Sequence, residues 1–172
     1  MRSHAVIARL GVYCSHMSAD ADSGVLDGYG SICAAAARQV AAAAIAEAHR
    51  NGWTVAVAIV DRAGDLVVFD RIDDTQPASI RIAQDKARTA SRFRRTTKLF
   101  EDALHGGRGA ILGMPEVLPL EGGIPLIADG KIAGAIGVSG ATSQQDGVCA
   151  QAGVDTFLKL GSMRAGESPT EH

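Results

Sequence analysis

Residues 121–140 read EGGIPLIADGKIAGAIGVSG, and this stretch decides the fold because it sets glycines inside an apolar run. Asp129-Gly130 is a two-residue turn signal between two apolar arms, which predicts a β-hairpin. Gly134, Gly137 and Gly140 interrupt the second arm. Glycine within a strand indicates a bulge, a bend, or the close approach of a ligand or of neighbouring backbone. The stretch is therefore either a tightly packed hairpin or the floor of a pocket.

The composition favours one globular domain. The chain has 172 residues, of which 47% are hydrophobic, enough to bury a single core. Its formal net charge of -2 gives no basic field for a nucleic-acid backbone, so we do not expect nucleic acid as a partner. No apolar run reaches the roughly 18 residues of a membrane span, and residues 1–9 do not form a secretory core. We therefore expect a cytoplasmic protein without a membrane partner. Cys14, Cys33 and Cys149 are too widely spaced for a disulfide framework, which favours reduced thiols.

The order of elements indicates an α+β domain with an antiparallel sheet. Turn signals, apolar periodicity and helix-capping patterns separate the elements. They predict a helix over 31–49, a hairpin with arms 54–60 and 66–69, helices over 78–93 and 97–105, a loop or short irregular strand over 109–120, the glycine-rich hairpin, and a helix over about 142–158. We assign the domain to residues 31–160 and expect poorly ordered ends at 1–30 and 161–172.

Several of these motifs together resemble one known family, the haem-degrading or haem-binding domain family of GlcG and HbpS, related to the C-terminal domain of PduO. The resemblance spans most of residues 31–160. It rests on VAIVD (57–61) with Gly64, AS (78–79) with KARTA (86–90), GGIPL (122–126), and GAIGVSG (134–140) with QD (145–146). It implies a layered α/β/α, profilin-like fold with a five-stranded antiparallel sheet flanked by helices. It also implies assembly into a homo-oligomer, a dimer or larger, and binding of haem or a related tetrapyrrole.

Lys86 is the first candidate functional residue, because it lies on or beside the apolar stripe of the helix over 78–93. One interpretation is structural: the methylenes follow the edge of the core while the ammonium meets water or an acid such as Asp61. The other is a cation that faces a pocket, holds a carboxylate or propionate, or acts as a desolvated amine.

Arg71 and Ser79 extend this hypothesis. Arg71 precedes the helix whose first turn holds Ser79, and free amides at a helix start favour an anion. Arg71, Ser79 and Lys86 could therefore converge on one carboxylate. The alternative for Arg71 is a surface ion pair with nearby aspartates, which contributes at most about 1 kcal/mol.

Two further groups could bind a ligand. Gly122 and Gly123 either form a turn before a strand or present amides to a ligand. Ser139 could supply a hydroxyl, although residues near a helix start also cap backbone amides.

His105 closes the helix over 97–105 and is the candidate metal ligand, either as an axial haem ligand or as a general base. It could equally be an ordinary C-terminal helix residue.

Two functions follow from these residues. The first is a haem or tetrapyrrole-binding module, with Lys86 and Arg71 on the propionates and His105 on the iron. The second is a cofactor-independent enzyme of carboxylate, oxo-acid or aromatic catabolism, in which Arg71, Lys86 and the Gly122–Gly123 amides stabilise an enolate or oxyanion.

Overall fold

The computed structural model describes residues 24–165. Its elements in chain order are α1 (Ala34–Asn51), β1 (Ala56–Asp61), β2 (Leu66–Arg71), α2 (Ala78–Phe93), α3 (Thr97–His105), a 3-10 helix (Gly109–Gly113), β3 (Gly123–Ala128), β4 (Lys131–Ser139) and α4 (Ser143–Ala165). The predicted bounds of α2 and α3 are confirmed. The predicted capping box is also present, since the backbone nitrogens of Thr142 and Gln145 each donate to the other's side chain.

The sheet is antiparallel throughout, with strand order β2-β1-β4-β3. The resemblance predicted five strands, and that count is wrong for residues 24–165, which form four. Residues 109–120 hold Pro115 and Pro119, which cannot donate to a ladder, and they form the 3-10 helix and a loop instead of a further strand. Leu26 and Ile32 form an isolated bridge, which is too short to count as a strand pair.

Successive side chains of β1 point alternately into two hydrophobic cores, one on each face of the sheet. Val57 and Ile59 face α1 and α4, while Ala56, Ala58 and Val60 face α2. Because successive strand residues point to opposite faces, the helices cover both sides of the sheet. The layered α/β/α architecture expected from the sequence is therefore confirmed.

Gly137 of β4 allows the backbone of α2 to approach the strand closely. A Cβ at Gly137 would lie 2.1 Å from the carbonyl oxygen of Ala83 and 2.5 Å from the nitrogen of Ala87, both on α2. Residues 133–139 are all buried. The packed-hairpin interpretation is correct for residues 134–139 of β4, because α2 occupies the space beside Gly137 that the predicted pocket would need.

The described residues begin before residue 31 and continue past residue 160, the two predicted bounds of the domain. Val25 and Leu26 pack against the core cluster that α1 covers, and α4 continues to Ala165. Most of the predicted terminal segments, with Cys14, lies outside the described residues. Cys33 and Cys149 are free, and Cys149 is buried in the core. No helix in 24–165 has the length and apolar character needed to cross a membrane, and the cytoplasmic location stays a prediction.

Candidate functional site

The most unusual group in the interior is the ammonium of Lys86, whose side chain is only 2% exposed. The residue belongs to the face of α2 that packs on the sheet, as do Ala83 and Ala87. Its Nζ donates to Asp146 Oδ2 at 2.7 Å and to the carbonyl oxygen of Val138 at 3.0 Å. A buried cation must be paired and hydrogen-bonded, and both requirements are met here.

Asp146 reaches the pair from the first turn of α4, where the helix dipole favours a negative charge. Its Oδ1 accepts a hydrogen bond from the backbone nitrogen of Ala141 at 3.1 Å. Burial raises the pKa of the Asp146 carboxyl above its ordinary value, while the Lys86 ammonium and nearby backbone amides act in the opposite direction. The pair thus joins α2 to α4 beside the end of β4, where Val138 lies.

Gly122 and Gly123 cover this ion pair. Gly122 has φ 123°, and a Cβ there would lie 2.9 Å from Lys86 Nζ and 2.7 Å from the carbonyl oxygen of Val138. A Cβ at Gly123 would lie 2.5 Å from the carbonyl oxygen of Lys86. The Gly123 nitrogen donates to Thr97 Oγ1 at 2.9 Å, so this amide is already used within the protein.

A pocket of about 330 Å³ opens beside these two glycines, and we call it the glycine pocket. Its walls come from the start of α3, the chain before and into β3, and the first turns of α4. The lining residues are Thr96, Lys98, Glu121, Gly122, Gly123, Ile124, Gln144, Gly147, Val148 and Gln151. Lys98 is paired with Asp102 on its own helix.

A second and larger cavity lies at the far end of the sheet. This hairpin cleft has a volume of about 670 Å³ and is lined by Leu26, Tyr29, Gly30, Arg62, Arg94 and residues 127–133. It lies between the β3–β4 turn and the chain that precedes α1. None of its lining residues was singled out from the sequence as a ligand-binding residue.

The predicted site residues fall into separate groups. Ser139 Oγ donates to Ser79 Oγ at 3.3 Å, and both hydroxyls are buried. Arg71 is exposed at the end of the edge strand β2, whereas the Lys86 nitrogen is held by Asp146. The predicted convergence of Arg71, Ser79 and Lys86 on one external carboxylate is therefore not observed.

His105 is exposed in the last turn of α3 and lines neither the glycine pocket nor the hairpin cleft. Within residues 24–165, no group of three or more histidine, cysteine, aspartate or glutamate side chains could hold a metal ion.

Asp146 is the partner of Lys86, and the sequence alone did not predict this pairing. Asp61 was considered instead, but its carboxylate accepts from the nitrogens of Ala63 and Asp65 in the β1–β2 turn. The signal for Asp146 was its place in the first turn of a helix, where an acid is favoured. Asp146 lies 60 residues from Lys86, so no local sequence pattern indicates the contact.

Known proteins are similar to this chain in sequence and in fold. The chain matches the family described as "Haem degrading protein HbpS-like" over residues 32–155. The Escherichia coli (strain K12) protein GlcG is 44% identical over 106 residues, which cover 59% of this chain and 79% of GlcG.

Two solved structures are similar as well. A double mutant of Streptomyces reticuli HbpS has a TM-score of 0.69 and 34% identity, covering 77% of this chain and 90% of that one. The haem complex of PduOC has a TM-score of 0.67 and 28% identity, covering 73% of this chain and 94% of that one. The family match, the GlcG relative and these folds agree, and the chain belongs to the HbpS-like family.

Proposed function

We propose that this protein binds haem or a closely related tetrapyrrole. The observation that carries the proposal is the similarity to PduOC, which was solved as a haem complex and of which 94% is covered by this chain. The HbpS-like family match over residues 32–155 supports the same ligand class. Both cavities, at about 330 and 670 Å³, have volumes typical of small-molecule sites.

The alternative predicted from the sequence, a cofactor-independent carboxylate enzyme, receives no support from these relatives. Its two cations are also poorly placed for joint action. Lys86 is neutralised by Asp146 beneath Gly122, and Arg71 is exposed on the opposite edge strand. We propose instead that Lys86 holds the wall of the glycine pocket in place.

Titration of the purified protein with haemin, followed by the Soret absorbance, tests the proposal. Saturable binding at a fixed stoichiometry is the expected result. Uptake that rises without saturation would contradict haem binding by this chain.

Resonance Raman spectroscopy of the complex tests His105 as the axial ligand. If His105 were the axial ligand in place of a residue of the two cavities, His105→Ala would abolish the low-frequency iron–histidine signature, whereas His49→Ala would leave it unchanged. These two variants are matched, since both histidines are exposed in the last turn of a helix. An unchanged spectrum in His105→Ala would remove His105 as the ligand and leave the binding proposal intact.

We also propose that the protein is a homo-oligomer, as the family resemblance implies. Large apolar side chains are exposed in the segment from α3 to β3, and subunit contact would bury them. They are Leu99, Leu112, Met114 and Leu120, between 37% and 70% exposed. Light scattering coupled to size exclusion should give a mass of at least twice 17.8 kDa, and a monomer mass would contradict this part of the proposal.

A further inference from the structure

The hairpin cleft has the apolar walls that a tetrapyrrole ring requires. Leu26, Ile127 and Ile132 line it, and the side chain of Ile127 is 47% exposed on a strand. Tyr29, which is 86% exposed, lines the same cleft. Apolar and aromatic surface that stays open to water inside a concave site is the surface that a flat apolar ligand would cover.

Cations from three separate elements line this cleft. Arg62 lies in the β1–β2 turn, Arg94 follows α2, and Lys131 begins β4, with Asp129 as the one acid among the lining residues. Arg62 donates to the carbonyl oxygen of Tyr29 at 2.9 Å and so holds the chain before α1 in place.

Arg94 and Lys131 form no ion pair within residues 24–165. The ion pairs between the described residues use other cations: Arg50, Arg81, Lys86, Arg88, Arg92 and Lys98. Neither the Arg94 nor the Lys131 side chain donates a hydrogen bond to another residue of 24–165. Two cations without an ion pair in residues 24–165 lie beside apolar walls, which suits a ligand that is both apolar and anionic.

The backbone at Arg94 ends α2 in a conformation that is uncommon for arginine. This residue caps the C-terminus of α2 with φ 54° and ψ 39°, a left-handed conformation that usually belongs to glycine. Arginine is strained there, and Arg94 is one of the residues that line the cleft. Strain of this kind is concentrated at ligand-binding positions.

We propose that the hairpin cleft binds the two propionate carboxylates of haem, with Arg94 and Lys131 as their cationic anchors. This inference rests on the proposed function and adds the place and the chemistry of binding. Arginine binds a carboxylate through two parallel hydrogen bonds, and lysine adds a point charge. A ligand with the same ring and esterified propionates should therefore lose these contacts.

The experiment compares haemin with its dimethyl ester, each titrated against Arg94→Met and Lys131→Met. Methionine keeps much of the apolar stem of each side chain and removes the charge. The matched controls are Arg38→Met and Lys159→Met, because both residues are exposed and line neither cavity. Each cleft variant should bind haemin roughly tenfold more weakly, while the controls and the affinity for the ester stay unchanged.

The failures of the two proposals are distinguishable. If wild-type protein does not bind haemin saturably, the proposed function is wrong and this inference falls with it. If wild type binds haemin saturably but both cleft variants retain its full affinity, only the cleft assignment is overturned. Equal weakening of haemin and ester would also overturn it, because the cations would then act through the fold and not through the carboxylates.

Discussion

Lys86 Nζ and Asp146 Oδ2 lie 2.7 Å apart, with both side chains no more than 3% exposed, and they connect α2 to α4 across the start of β3. The pair is shielded by Gly122, whose backbone leaves no room for a Cβ between it and the ammonium. Two charges in such a place are tolerated only together, because each alone would be buried without compensation.

Removing one partner should therefore lower the free energy of unfolding far more than removing both. We expect Lys86→Met or Asp146→Leu to lower the free energy of unfolding by about 3 kcal/mol or more. In the double variant Lys86→Met with Asp146→Leu, the loss should be much smaller than the sum of the single losses. Urea unfolding of the four proteins measures the coupling, and single losses below about 1 kcal/mol would contradict the buried-pair assignment.

The decrease in the free energy of unfolding caused by Lys86→Met should depend on pH. Burial raises the pKa of the Asp146 carboxyl above 3.8, and Lys86→Met removes the ammonium that opposes this shift. The folded variant then keeps a proton that the unfolded chain has released. Its free energy of unfolding falls as the pH rises from the unfolded pKa to the folded pKa, and stays at its lowest above that window.

The loss caused by Lys86→Met should accordingly be larger at neutral pH than below pH 3.8, where the Asp146 carboxyl is protonated in both the folded and the unfolded chain. Urea unfolding of this variant and of the wild type at several pH values gives the difference. The matched control is Lys86→Met combined with Asp146→Asn, in which the amide cannot titrate. A loss that is equal at every pH would mean that Asp146 does not change its protonation on unfolding in this range.

Most of the layered fold was predictable because it depends on local patterns. The α2 bounds follow from Pro77 and the apolar spacing, and the α4 start follows from the Thr142–Gln145 capping box. The strand count was carried from the resemblance, and residues 109–120, which were predicted as a loop or a short irregular strand, form the 3-10 helix and a loop.

The site was less predictable because its contacts join residues that are distant in sequence. Lys86 was predicted to lie on or beside the apolar stripe of α2 and lies on its buried face, but no local pattern connects it with Asp146. The hairpin cleft brings Arg62, Arg94 and Lys131 together from three elements, so each resembles an ordinary surface cation when the sequence is considered alone.

The packing of α2 on β4 can be tested at Gly137. Gly137→Ala should destabilise the protein by about 3 kcal/mol, because its methyl group would collide with backbone atoms of Ala83 and Ala87 that cannot move independently. Gly109→Ala is the control, since a Cβ there meets no atom within 4 Å. Thermal or urea unfolding of both variants provides the comparison, and equal stabilities would mean that α2 does not approach the strand so closely.

Arg94 should show opposite effects on stability and on binding. Glycine accepts the left-handed conformation at the end of α2 without strain, so Arg94→Gly should raise the free energy of unfolding by about 1 kcal/mol. The same change removes a proposed propionate anchor and should weaken haemin binding. Arg94→Met, which keeps a side chain in the strained conformation, should weaken binding without the gain in stability. Urea unfolding and haemin titration of both variants separate the two effects. A glycine variant that is more stable and binds haemin as tightly as the wild type would show that the strain at Arg94 serves no role in binding.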